Sequence, residues 1–118
     1  MSIFHYPLEI TGPNASEFQE VMALVDTGAT FTQVPATLLR NLGVQPTENV
    51  RFRLANGSTI QRAIGETQVR LEGQIVNTVV VFGDDNADAL LGVYTLERAL
   101  LAVDPAGQRL IPTDALLV

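Results

Sequence analysis

The stretch Ala23-Leu24-Val25-Asp26-Thr27-Gly28-Ala29-Thr30 decides how the chain is read. An apolar run stops at an acid, and a hydroxyl residue, a glycine and an alanine follow. A carboxylate at the buried end of a strand is costly unless something satisfies or uses it. On these residues alone two readings stay open. Asp26 either opens a turn by accepting from backbone amides, or it does chemistry.

The rest of the composition narrows the chemistry. The 118 residues are the size of one domain, 1–118, and the 47% that are hydrophobic can form a core. A domain this small buries a limited share of its surface, so self-association would help it. There is no cysteine and only one histidine, His5, and Ser2, Ser16 and Ser58 lie in no GxSxG elbow. A hydrolase built from this chain must rely on carboxylates. Net charge is −6, and the seven cationic residues are scattered arginines, so no nucleic-acid partner is expected. No apolar run is long enough to span a bilayer, and MSIFHYPLEI lacks the pattern of a secretory leader. A cytoplasmic protein without a membrane partner is therefore expected. Asp84, Asn86 and Asp88 have the spacing that opens a calcium loop, but Ala89 and Thr95 stand where glycine and glutamate are needed. Neither a metal nor any other cofactor is expected.

Turn residues divide the chain into many short strands. Ile3–Ile10, the run into Val25, and Phe31–Val34 are expected strands, and Pro35–Gly43 a short helix, with proline at its start and glycine at its end. Val50–Leu54 alternates apolar and charged residues and leads to Asn56-Gly57, a hairpin signal, with Ser58–Arg62 returning. Gly65 marks a bend or bulge. Thr67–Leu71 and Ile75–Phe82 pair through Glu72-Gly73. Ala89–Gly92 is a short buried run, Tyr94–Ala99 a helical turn or two, and Leu100–Val103 and Arg109–Pro112 the last strands. ALVDTGATF at 23–31 and ALLGVYTLE at 89–97 form a faint internal echo. This pattern predicts a mostly-β barrel or sandwich with one or two short helices.

The ordered set of Asp26-Thr27-Gly28-Ala29 after an apolar strand, a helix, an Asn-Gly hairpin, a strand pair, Leu90-Leu91-Gly92, a second helix and an apolar end resembles the retropepsin-like aspartic proteases. The likeness spans almost the whole chain and is nearest to small free-standing prokaryotic members. It departs from viral members at Val93-Tyr94-Thr95, where those carry an arginine and then asparagine or aspartate, and in a hairpin tip, Ala55-Asn56-Gly57-Ser58, that is less glycine-rich. The resemblance implies a closed acid-protease barrel, functional as a homodimer, that cleaves peptide or protein substrates.

It also implies roles. Asp26, Thr27 and Gly28 would be catalytic: Asp26 gives one half of a carboxylate dyad, Thr27 hydrogen-bonds across the two-fold axis, and Gly28 brings its N–H to the carboxylate. With one such aspartate per chain, the dyad needs two copies. Ala29, Leu54, Ala55, Asn56, Gly57, Ser58, Leu90, Leu91 and Val93 would meet substrate, Leu90, Leu91 and Val93 also supporting the active-site loop, and the hairpin over 50–62 acting as a flap. The apolar ends, Ile3-Phe4 and Leu116-Leu117-Val118, are candidate interface strands. Ala29 offers no side-chain donor to lower the aspartate pKa, so a mildly acidic optimum is expected. The alternative is a catalytically silent dimer of the same fold that binds peptides or serves assembly.

Overall fold

The computed structural model describes residues 4–117. Its elements, in order, are β1 (His5–Ile10), β2 (Gln19–Val25), β3 (Thr32–Pro35), α1 (Ala36–Asn41), β4 (Pro46–Arg53), β5 (Thr59–Leu71), β6 (Gln74–Gly83), β7 (Leu90–Leu91), α2 (Val93–Arg98), β8 (Leu101–Asp104) and β9 (Arg109–Pro112). Seven strands form one sheet in the order β1-β2-β7-β3-β6-β5-β4, and β8 pairs with β9 separately. β1 also pairs with β5, Glu9 opposite Arg70 and Ile10 opposite Val69, so the hydrogen-bonded order returns on itself. A bidentate ion pair from Arg70 to Glu9, at 2.8 and 2.9 Å, reinforces that junction.

Alternation sets the faces. Leu8 and Ile10 of β1, Ala23 and Val25 of β2, and Val69 and Leu71 of β5 point inward to the core. β6 ends in a continuous buried run, Val80-Val81-Phe82-Gly83, because it lies between parallel β3 and antiparallel β5. The first half of β4 differs: residues 46–49 are all exposed, and among the described residues β4 pairs only with β5.

Several local expectations are corrected. Pro35 does not begin the helix; it ends β3, paired with Gly83, and flanks α1 in an extended conformation. No side chain of its own segment caps α1. Instead the distant Asp85 carboxylate accepts from the Thr37 N–H at 3.0 Å and from the Thr37 hydroxyl. The helix stops where expected: Gly43, at φ +83°, sends its N–H to Arg40, and the Val44 N–H reaches Leu39, which satisfies the last carbonyls. Residues 59–71 form one strand rather than two. The irregularity lies opposite Gly65, between Pro46 and Glu48 of β4. Gly65 is a close approach, since a Cβ there would sit 2.6 Å from the Gln45 carbonyl oxygen.

The Glu72-Gly73 turn is as expected, both residues having positive φ. Tyr6 of β1 clasps it, donating to the Glu72 carboxylate and accepting the Glu72 N–H, each at 2.9 Å. Burial and the Glu72 contact push the Tyr6 hydroxyl up to about 12. Residues 113–117 form no strand with the other described residues: Leu116 and Leu117 are 92% and 101% exposed. Phe4 packs against the core, while Ile3 and Val118 lie outside the described residues.

Three carboxyls sit below their ordinary range: Glu9 through its bonds to Arg70, Asp85 through the Thr37 hydroxyl and N–H, and Asp104 through the Gly107 N–H and then Arg109. Each folded value is depressed, so the stability these groups contribute is complete above the ordinary carboxylate pKa of about 4 and is lost as pH falls through the lowered folded values. Thermal melts from neutral to strongly acidic pH should show a plateau and then a fall. In Asp85→Asn the plateau should be lower and the acid fall shallower.

Candidate active site

β2 carries Asp26 to the end of a strand whose last residue, Val25, is fully buried. Asp26 itself is half-buried, and Thr27 and Gly28 are exposed. The backbone turns at once: the Ala29 N–H donates to the Asp26 carbonyl at 3.1 Å. The Gly28 N–H donates to Asp26 Oδ1 at 2.9 Å. Asp26 therefore does open the turn, but its second carboxylate oxygen receives no hydrogen bond among the described residues.

The loop rests on the β7–α2 segment. β2 and β7 run parallel, with Leu24 opposite Leu90 and Val25 opposite Leu91. The faint echo between 23–31 and 89–97 thus has a physical counterpart: the two apolar triplets lie side by side. The Leu24 N–H reaches the Ala89 carbonyl at 2.8 Å, and the Asp26 N–H reaches that of Leu91 at 3.0 Å. On the other side, the N–H groups of Val93 and Tyr94 donate to the carbonyls of Ala29 and Thr30, each at 2.9 Å. Gly92 sits between these bonds. A Cβ there would lie 2.5 Å from the Phe31 carbonyl carbon and 2.6 Å from its oxygen. Only glycine lets the two backbones approach this closely.

Beneath the loop lies a buried threonine chain that the sequence reading did not single out. Thr32 Oγ1 is 2.6 Å from Thr95 Oγ1, which is 2.8 Å from Thr78 Oγ1, and the Gly92 N–H donates to Thr32 at 3.1 Å. All three side chains are buried. The available signal was weak: Thr95 follows Gly92 by three, on the inward face of α2, and threonines are common in strands. A second unforeseen feature is aromatic. Phe31, just past the loop, meets Phe52 of β4 edge-on at 6.2 Å between centroids and Tyr94 of α2 at 5.8 Å. This stack ties the β4–β5 hairpin to the floor beside Asp26.

The hairpin turns at Asn56-Gly57, as expected. The Gly57 N–H donates to the Leu54 carbonyl at 2.9 Å and the Leu54 N–H to that of Ser58 at 2.8 Å. Gly57, at φ +89°, takes the left-handed position that follows a four-residue turn. Leu54, Ala55, Asn56, Gly57 and Ser58 are all exposed. Of the other residues expected to meet substrate, Ala29, Leu90 and Val93 are half-buried around the loop. Leu91 is fully buried and supports the loop through its carbonyl, which accepts from the Asp26 N–H. Two surface clefts of about 570 and 420 Å³ are lined by other residues, around Gly12 and Gln68 and around Arg40 and Asp84. The calcium-like run is a turn: Asp84 pairs with Arg62 at 3.2 Å and Asp85 is held by Thr37.

The family model described as "gag-polyprotein putative aspartyl protease" matches residues 17–98, from β2 through α2. The chain belongs to this retropepsin-like aspartic protease family. No curated protein matches it. Among solved structures, simian foamy virus (mac) protease is 22% identical with a TM-score of 0.57, over 79% of this chain and 91% of that one. The retroviral protease-like domain of Ddi1 from Leishmania major is 20% identical with a TM-score of 0.59, over 98% and 91%. A foamy viral protease-reverse transcriptase is 14% identical with a TM-score of 0.61; the match takes in 98% of this chain but 13% of that much longer one. At these identities the likeness shows the retropepsin fold, mostly β with two short helices.

For this family member, Gly92→Ala should force the loop away from α2, lowering stability by about 1–3 kcal/mol. Thr95→Val should cost about 1–3 kcal/mol by stranding the buried hydroxyls of Thr32 and Thr78. Denaturant titration of each variant against wild type checks both.

Proposed function

We infer that this chain is an aspartic endopeptidase whose active site forms where two copies meet on a two-fold axis. The observation that carries this reading is the Asp26 loop: a carboxylate at the end of a buried strand, clamped on both sides by backbone bonds to the β7–α2 segment, yet exposed at Thr27 and Gly28. The chain holds one such aspartate, so a dyad requires a partner, and a two-fold interface brings the same residue of each copy together. The exposed apolar tail at Leu116-Leu117, left without a strand partner among the described residues, supports the same reading. The ring of pairing that β1 and β5 complete is read as the closed barrel of the family.

The chemistry follows from two carboxylates held close. As in aspartic proteases generally, groups about 3 Å apart cannot easily both ionise, so they share a proton. The ionised carboxylate takes a proton from a bound water. The water oxygen attacks the scissile carbonyl carbon while the protonated carboxyl donates to the carbonyl oxygen. Proton transfer to the amide nitrogen then releases the amine. The Gly28 N–H, bonded to Oδ1, fixes the orientation of the Asp26 carboxylate. The β4–β5 hairpin serves as the flap, covering an extended peptide and excluding water. The Phe31–Phe52 contact supports its position over the loop.

The test is cleavage of a complex peptide mixture, read by mass spectrometry. Wild type should cut at weakly acidic pH, and Asp26→Asn should lose cleavage while remaining folded. Binding without cutting by both proteins would turn the reading to a peptide-binding module.

A further inference from the structure

We propose that Asn56, at the tip of the hairpin, is a site of spontaneous deamidation that the fold itself promotes. Asn56-Gly57 is the one asparagine–glycine pair among six asparagines; Asn14, Asn41, Asn49, Asn77 and Asn86 are each followed by a residue with a side chain. The reaction begins when hydroxide removes the Gly57 backbone proton. The nitrogen then attacks Asn56 Cγ, a carbon–nitrogen bond forms, and the side-chain nitrogen leaves as ammonia. Water opens the resulting succinimide to aspartate or isoaspartate. No oxidant or reductant is involved.

Three features of the tip favour this path. First, the atom that becomes negative in the attack, Asn56 Oδ1, already accepts two hydrogen bonds, from the Ser58 N–H at 2.9 Å and the Ser58 hydroxyl at 2.6 Å. Donors aimed at a developing oxyanion stabilise the transition state more than the ground state. Second, the Arg53 guanidinium bonds the Gly57 carbonyl at 3.1 Å, which puts positive charge beside the reacting atoms. Third, no atom beyond the neighbouring residues lies within 4 Å of where a Gly57 side chain would project, so the tip is open on that side of the reacting nitrogen. One contact opposes it: the Gly57 N–H donates to the Leu54 carbonyl and must let go before attack. The rate therefore depends on opening of the tip, and anything that holds the hairpin shut protects Asn56.

The two products differ in consequence. An aspartate at 56 still accepts from both Ser58 donors and keeps the turn. An isoaspartate lengthens the main chain by one carbon inside a turn whose flanking pair is Arg53 and Thr59, and so breaks the tip. Its effect on cleavage rests on the hairpin being the flap, as inferred above.

The experiment is timed incubation of the purified protein in mildly alkaline buffer, followed by mass-spectrometric mapping of all six asparagines. Asn56 should convert at least about tenfold faster than any other. Ser58→Ala, a change at an exposed position, should slow Asn56 roughly five- to tenfold, the value of one lost hydrogen bond. Conversion of Asn56 no faster than its counterparts overturns the proposal. So does a Ser58→Ala variant that reacts as fast as wild type or faster. This readout needs no enzymatic activity, so a deamidating protein that never cuts peptides would refute the protease reading and leave the modification site standing.

Discussion

The site depends on one close approach between two backbones. Gly92 lies so near the Phe31 carbonyl that no side chain fits between them. That contact lets Val93 and Tyr94 donate to the carbonyls of Ala29 and Thr30 while Leu91 accepts from Asp26. Asp26, Ala29 and Thr30 of the loop are thereby held to the β7–α2 segment by main-chain bonds. Main-chain bonds fix position with little entropy left to lose, which suits the shared dyad proposed above.

The same contact organises what lies beneath and above the loop. Below, the Thr32–Thr95–Thr78 chain joins β3, α2 and β6 through hydroxyls that are buried and satisfied. A fully paired buried network resists rearrangement, because breaking any one bond strands the others. Above, Phe31 leaves the loop and stacks on Phe52 and Tyr94, so the hairpin and the second helix share one aromatic support. Rigid floor and supported hairpin are consequences of residues within a few positions of Asp26 and Gly92.

Local chemistry made much of this readable in the sequence. Alternation in Val50–Arg53, the glycine that ends α1, and the Glu72-Gly73 turn each state their geometry in a few residues. The Asp26 loop and Leu90-Leu91-Gly92 were legible for the same reason. The parts that were not legible depend on partners far along the chain. Asp85 caps a helix that begins 49 residues earlier, at Ala36, and the loss of Pro35 from that helix follows from its pairing with Gly83. That Leu91 is apolar was plain from the sequence; its parallel pairing opposite Val25, which places it under the Asp26 loop, was not. The threonine chain was hidden because threonine on a strand is ordinary until three of them converge.

The central claim is that each chain holds half of a catalytic site. The most direct test is to refold wild type together with an equal amount of Asp26→Asn, so that subunits pair at random. If the dyad is shared, only pairs of two wild-type chains cut, and activity per total protein is about a quarter of that of pure wild type. An activity of about one half, the value for chains that act independently of their partner, would contradict it.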